Sequence, residues 1–142
     1  MEYRKLGRSG VLVSPLCLGT MNFGSSTSEE DSFAIMRKAV DGGINFFDTA
    51  NVYGRGAAET AWGEILSKRP RDSYILATKV WGQMSDDPED RGLSAGQIAK
   101  QIDASLQRLQ TDYVDLYQAH RFDPAPRGHL DLLKGLARDG KR

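Results

Sequence analysis

A single cysteine, Cys17, stands among the 142 residues, so no internal disulfide can staple this fold. It lies in the apolar run Pro15-Leu16-Cys17-Leu18, a setting that predicts a buried, inert thiol. No stretch approaches the ~20 apolar residues that a spanning helix needs, so no membrane association is expected. The opening Met1-Glu2-Tyr3-Arg4-Lys5 lacks the apolar run of a secretory signal. Together these absences predict a cytoplasmic protein in a reducing compartment. An excess of one charge is missing too: 19 Lys plus Arg balance 19 Asp plus Glu, with no acidic tail or basic block. Nucleic acid is therefore not an expected partner. No metal ligand set is expected either.

What is present is ordinary for a globular chain, with 39% hydrophobic and 27% charged residues. The length predicts one domain, residues 1–142, large enough to bury a real core. Residues 2–14 hold two short alternating segments, Tyr3 to Leu6 and Val11 to Val13, around Gly7-Arg8-Ser9-Gly10. That pattern predicts a β-hairpin.

From residue 15 the pattern becomes apolar strand, loop, amphipathic helix, and repeats. The first strand is expected over Leu16 to Gly19. A helix follows, with Thr27 or Ser28 as N-cap and Glu29, Glu30 and Asp31 in its first turn, where acids complement the helix dipole. Its expected apolar face is Phe33, Ile35, Met36, Ala39 and Val40, and Gly42-Gly43 ends it. Strands are then predicted over Ile44 to Phe47, Tyr74 to Thr78 and Tyr113 to Gln118. Helices are predicted over Ala57 to Leu66, Ser94 to Leu109 and Leu130 to Ala137, the last capped by Gly140.

Four βα units after a hairpin argue for a parallel sheet. A doubly wound open sheet and a TIM barrel both satisfy that order. The first βα turn, Gly19-Thr20-Met21-Asn22-Phe23-Gly24, is not a dinucleotide fingerprint. Strand ends fall near Gly19, Asp48, Lys79 and His120. The first two steps match the repeat of about 31 residues of an eight-unit barrel, and the third carries a Gly- and Asp-rich loop, Trp81 to Gly92. Spacing favours the barrel without deciding the question.

Three strand ends carry reactive side chains: Asp48 after Phe46-Phe47, Lys79 after Ala77-Thr78, and His120 after Gln118-Ala119. Adjacent parallel strands gather such ends on the face where α/β active sites form. Tyr53 lies in the following loop, within reach of that face. The set suits carbonyl reduction, in which hydride addition leaves negative charge on oxygen that needs a proton donor and hydrogen bonds. Tyrosine in water is a weak acid, with a pKa of about 10. An ammonium beside it stabilises the phenolate left after donation. Asp48 would keep that ammonium charged and in place, and neutral His120 would orient the substrate oxygen. Each residue alone has a plainer reading: Asp48 as a turn cap, Lys79 as a solvated strand end, Tyr53 as packing, His120 as surface. Their joint placement at consecutive strand ends weakens all four.

The stretch Gly43-Ile44-Asn45-Phe46-Phe47-Asp48-Thr49-Ala50-Asn51-Val52-Tyr53-Gly54, followed by Glu59, resembles the signature of the aldo-keto reductase superfamily. Leu76-Ala77-Thr78-Lys79-Val80 is similar to the second motif of that family, and Asp115-Leu116-Tyr117-Gln118-Ala119-His120-Arg121 to its third. Tyr3-Arg4-Lys5-Leu6-Gly7 resembles its barrel-plugging hairpin. His120-Arg121-Phe122-Asp123-Pro124 is similar to the bacterial branch near the potassium-channel β subunits.

The resemblance implies the first four βα units of a (β/α)8 TIM barrel and an NADP(H)-dependent reduction of aldehydes or ketones to alcohols. The family's catalytic tetrad falls without substitution on Asp48, Tyr53, Lys79 and His120. Thr20, Met21 and Asp48 are implied at the nicotinamide ribose. Trp81 is implied in the substrate pocket, with packing beneath the long loop as an equal alternative, and Gln118 as a polar residue of the barrel interior. A second implication is a non-catalytic, NADPH-binding regulatory module of the channel-β kind.

The segment after Asp123-Pro124 departs from the family, being about two residues short and lacking its Glu-Thr-Leu pattern. The family draws most of its NADP(H) contacts from strands five to eight, which would follow Arg142. The chain alone is thus expected to be inactive and to need either a missing C-terminal half or a homodimer partner. Its substrate is expected to be a small carbonyl compound.

Overall fold

The computed structural model describes residues 1–124, and the helix expected over Leu130 to Ala137 lies outside them. Two short strands, β1 (Arg4–Lys5) and β2 (Leu12–Val13), pair antiparallel as the hairpin. Four further strands form one parallel sheet: β3 (Leu18–Gly19), β4 (Phe46–Asp48), β5 (Ile75–Val80) and β6 (Leu116–Ala119). The helices α1 (Glu29–Asp41), α2 (Ala57–Leu66) and α3 (Ala95–Leu109) connect them in turn. Sheet order follows chain order, β3-β4-β5-β6, and among the described residues there is none of the strand reversal that marks a doubly wound sheet.

Local signals fix the helix starts. The hydroxyl of Ser28 accepts the Asp31 amide at 3.1 Å, and that of Ser94 accepts the Gln97 amide at 3.2 Å, each satisfying a donor that the first turn leaves unpaired. Gly43, with φ +87°, turns the chain out of α1. The buried positions of α1 are Ser32 and Met36, whereas Ile35, expected on the apolar face, is exposed. Ser32 and Met36 are four residues apart and stack on one side of the helix. Ile35 sits about 100° away from Met36 and misses the sheet.

One face of the sheet packs on the helices. Phe47, Leu76, Trp62, Leu66, Met36 and Leu109 are all buried there, and the Phe47 and Trp62 rings lie 4.5 Å apart. Helices α2 and α3 approach so closely that a Cβ on Gly63 would strike the Arg108 carbonyl oxygen. Glu59 is buried between them with no exposed surface. Its carboxylate accepts the Thr78 hydroxyl at 2.5 Å and the Arg108 guanidinium at 2.7 Å, so this buried acid is charge-paired and hydrogen-bonded on both oxygens.

Side chains alternate across the sheet, so Gly19, Asp48, Ala77, Lys79 and Gln118 share the opposite, inner face. The hairpin is tied to the N-terminal end of β4, where Tyr3 donates to the Gly43 carbonyl at 2.9 Å and Asn45 Oδ1 accepts the Ser14 amide at 2.6 Å. Cys17, expected to be buried, is exposed. The alternation that sends Leu18 toward the helices sends Cys17 to the inner face, just before the edge strand β3, where its surface is only partly covered.

Candidate active site

Parallel pairing brings the ends of β4, β5 and β6 side by side. Asp48 ends β4, and Lys79 stands within β5 rather than after it, because the strand continues to Val80. His120 follows β6, its amide donating to the Val80 carbonyl at 2.9 Å. After Asp48 the chain is held by two more rungs, Thr49 amide to Ala77 carbonyl and Asn51 amide to Lys79 carbonyl. It then enters a 3-10 turn, Tyr53–Gly56. That turn swings Tyr53 over the strand ends.

Lys79 is the hub. Its ammonium donates to Asp48 Oδ2 at 2.5 Å, to the Thr49 carbonyl at 2.9 Å and to the Tyr53 phenol oxygen at 3.1 Å. An ammonium has three donors, and all three are used. The Tyr53 oxygen therefore accepts from Lys79 and keeps its own hydrogen to donate elsewhere. Asp48 is held on its other oxygen by the Gln118 amide at 3.1 Å. The ion pair is neither fully exposed nor fully buried, and the hydrogen bonds around it reduce the cost of its desolvation.

His120 presents its ring edge-on to Tyr53, with centroids 5.5 Å apart. Burial, and then the charges of Lys79 and Arg121, hold its imidazole below the ordinary histidine value, with Asp48 opposing them. The neutral ring is the form expected at neutral pH, able to donate from one nitrogen. Among the described residues its side chain has no hydrogen-bond partner.

The other predicted positions fall around this group. Thr20 is buried at the end of β3, with its hydroxyl donating to the Asp48 carbonyl at 3.2 Å, while Met21 is exposed beside it. Trp81 follows β5 and is half-buried, with the guanidiniums of Arg91 and Arg121 each within 6 Å of its ring centre.

Two supporting contacts were not read from the sequence, although Gln118 itself was expected as a polar residue of the barrel interior. Gln118 clamps Asp48; its place two residues before His120 on an alternating strand was the only signal of a shared face. The second is a buried amide relay. Asn51 donates to Gln101 at 3.2 Å, and Gln101 donates to Asp90 at 3.1 Å. Hydrogen bonds, foremost from Lys100, hold the Asp90 carboxyl below the usual range. The relay joins the Tyr53 loop to the Trp81 loop through α3, and nothing in residue spacing links positions 51, 90 and 101.

A parallel α/β sheet that gathers a phenol, an ammonium, a carboxylate and an imidazole at its strand ends is a scaffold for acid-base chemistry. The chain belongs to the aldo/keto reductase family, which its residues 15–141 match. It is also similar to a Bacillus subtilis (strain 168) protein named "Uncharacterized oxidoreductase YrpG", with 49% identity over 133 residues. That match covers 87% of this chain and 41% of the Bacillus protein, so the chain spans well under half of its relative's length.

Proposed function

We propose that this chain carries the proton-donating machinery of an NADP(H)-dependent aldehyde or ketone reductase and forms the first four βα units of a (β/α)8 barrel. The consecutive strand order, with connecting helices packed on one face, supports the barrel. Family membership and the named oxidoreductase relative support redox chemistry. The observation that carries the reading is the Lys79 ammonium, whose three hydrogen bonds leave the Tyr53 hydroxyl oriented as a donor.

The nicotinamide end of the cofactor fits what is present here. Asp48 and the adjoining turn of Thr20 and Met21 lie beside Lys79, and Met21 offers an exposed thioether surface. Thr20 acts mainly by fixing that turn, since its hydroxyl is committed to the Asp48 carbonyl. The cofactor, when bound, supplies the hydride.

The residues of this chain handle the proton. The substrate oxygen is held by the Tyr53 hydroxyl and by neutral His120, which face each other at the strand ends. As charge develops on that oxygen, the Tyr53 proton passes to it, and the nearby ammonium stabilises the phenolate left behind. Asp48 and the Thr49 carbonyl fix the ammonium, and Gln118 fixes Asp48. Solvent then returns a proton to Tyr53. Trp81 forms a wall of the substrate site.

The test, made on a chain that also carries the remaining four βα units of the proposed barrel, is a spectrophotometric assay of NADPH and NADH oxidation with a panel of aldehydes and ketones. Reduction of carbonyls with NADPH preferred is the expected result. No turnover of any carbonyl with either cofactor would reject the reading.

A further inference from the structure

The last rung between β5 and β6 joins Val80 to Ala119, so Trp81 and His120 leave the sheet side by side. Arg121 comes next, and its guanidinium carbon lies 5.6 Å from the Trp81 ring centre. A second guanidinium, that of Arg91, lies 5.8 Å from the same ring. Arg91 is carried there by the closing of its own loop. The Gly92 amide donates to the Trp81 carbonyl at 2.8 Å, and the Leu93 amide donates to the Asp123 carboxylate at 2.9 Å, tying the loop to the segment after β6.

Three of the neighbouring acids are engaged with other cations. Asp48 pairs with Lys79, Asp86 with Arg55 and Asp90 with Lys100, and none of the six ion pairs among the described residues includes Arg91 or Arg121. Two exposed cations beside one indole repel each other and favour an anion placed between them. An arginine over an aromatic ring has its plane oriented and its N–H edge still free, the form that grips a carboxylate with two parallel bonds. The Arg121 charge already reaches the site, since it helps to keep His120 neutral.

We infer that Arg91 and Arg121, held beside Trp81 at the mouth of the Asp48–Tyr53–Lys79–His120 cluster, bind the anionic end of the substrate. The substrate class is then an oxoacid, with its carbonyl directed inward to Tyr53 and His120. This rests on the reductase reading and narrows it.

In the same completed barrel, the discriminating pair of probes is 5-oxopentanoate and pentanal, which differ in a terminal carboxylate and leave the aldehyde unaltered. The expected result is a kcat/KM about tenfold or more higher for the oxoacid, the scale of one charged hydrogen-bonded contact, expressed mainly in KM. Arg91→Gln and Arg121→Gln should each shrink that ratio, and the double variant should bring it to about one. Equal use of the two aldehydes by the unaltered protein would overturn the inference while leaving the reductase reading intact. A parallel rise in the KM for NADPH would assign the arginines to the phosphates of the cofactor and would also overturn it.

Failure to reduce either aldehyde counts against the reductase reading instead, and a binding measurement then decides the anion site. Trp62 is buried in the core, so a change in tryptophan emission on adding glutarate reports on Trp81. A saturable change that disappears in the double arginine variant and in Trp81→Phe is expected. No saturation up to about 10 mM glutarate, beyond the range of even weak millimolar binding, would exclude the site.

Discussion

The Tyr53 and His120 rings meet edge to face, with centroids 5.5 Å apart and planes inclined at 83°. The two side chains follow different strands, Tyr53 in the 3-10 turn after β4 and His120 directly after β6. On the far side of Tyr53, Lys79 holds the phenol oxygen. A carbonyl oxygen within reach of both the Tyr53 hydroxyl and the His120 ring nitrogen would meet two donors, only one of which is backed by an ammonium. That asymmetry supports the proposed roles of Tyr53 as the acid and His120 as the orienting group.

Tyr53→Phe should lower turnover by about 10² or more, the scale of general acid catalysis, with little change in the affinity for NADPH. The ring packing against His120 survives in phenylalanine, so the loss reports on the hydroxyl alone. Steady-state kinetics beside a cofactor-binding titration would check it. Near-normal carbonyl reduction by the variant would remove Tyr53 from the acid role.

The pH dependence of His120 has a definite sign. Its folded value lies below the ordinary one of about 6.5, so between the two values the unfolded chain binds more protons than the folded one. The neutral imidazole therefore contributes stability that is fully present above about 6.5 and is lost as pH falls through the folded value. An NMR titration of the His120 ring should give a midpoint under 6.5, and urea unfolding should weaken over the same window. A midpoint above 6.5 contradicts the environment described for this residue.

Arg108→Met should be strongly destabilising. It leaves Glu59, which has no exposed surface, with only the Thr78 hydroxyl for compensation. Breaking a buried pair from one side costs about 3 kcal/mol, and Glu59→Gln combined with Arg108→Met should recover a good part of it. Urea denaturation of the single and double variants is the measurement. Equal stability of the single variant and the parent would mean that the pair contributes nothing.

Cys17 should react slowly despite its exposure. Its sulfur lies near Asp48 on the inner face, and partial burial, reinforced by that carboxylate, pushes the thiol up to about 11. Only the thiolate attacks, so alkylation at pH 8 should run about tenfold or more slower than for free cysteine. Mass spectrometry after timed iodoacetamide treatment would measure it, and a rate equal to that of free cysteine would show an unshielded thiol.

Much of the architecture was legible in the residues. Ser28, Ser94 and the Gly42-Gly43 pair mark helix ends through chemistry that acts within a few residues, and α2 falls on Ala57–Leu66 as expected. Helix signals are local because each turn closes on itself. Strand limits were less legible: β3 is two residues where four were expected, and β5 runs on through Lys79 to Val80. A strand extends only as far as its neighbour offers partners, and those partners come from distant parts of the chain.

The sequence by itself determined which groups stand at the C-terminal ends of the strands, because an apolar run and the residue that ends it are both written in order. Asp48, Lys79 and His120 were singled out on that basis, and Tyr53 as the phenol in the loop that follows Asp48. The tertiary structure decided how they bond: that Lys79 divides its three donors among Asp48, Thr49 and Tyr53, that Gln118 holds Asp48, and that two arginines converge on Trp81. It also exposed Cys17, because apolar neighbours in sequence bury a side chain only when another element covers its face of the sheet. Local spacing sets what a strand or helix presents. Which groups then meet depends on the parallel register between segments some 30 residues apart, and that register is fixed by packing the whole helix layer on the sheet at once.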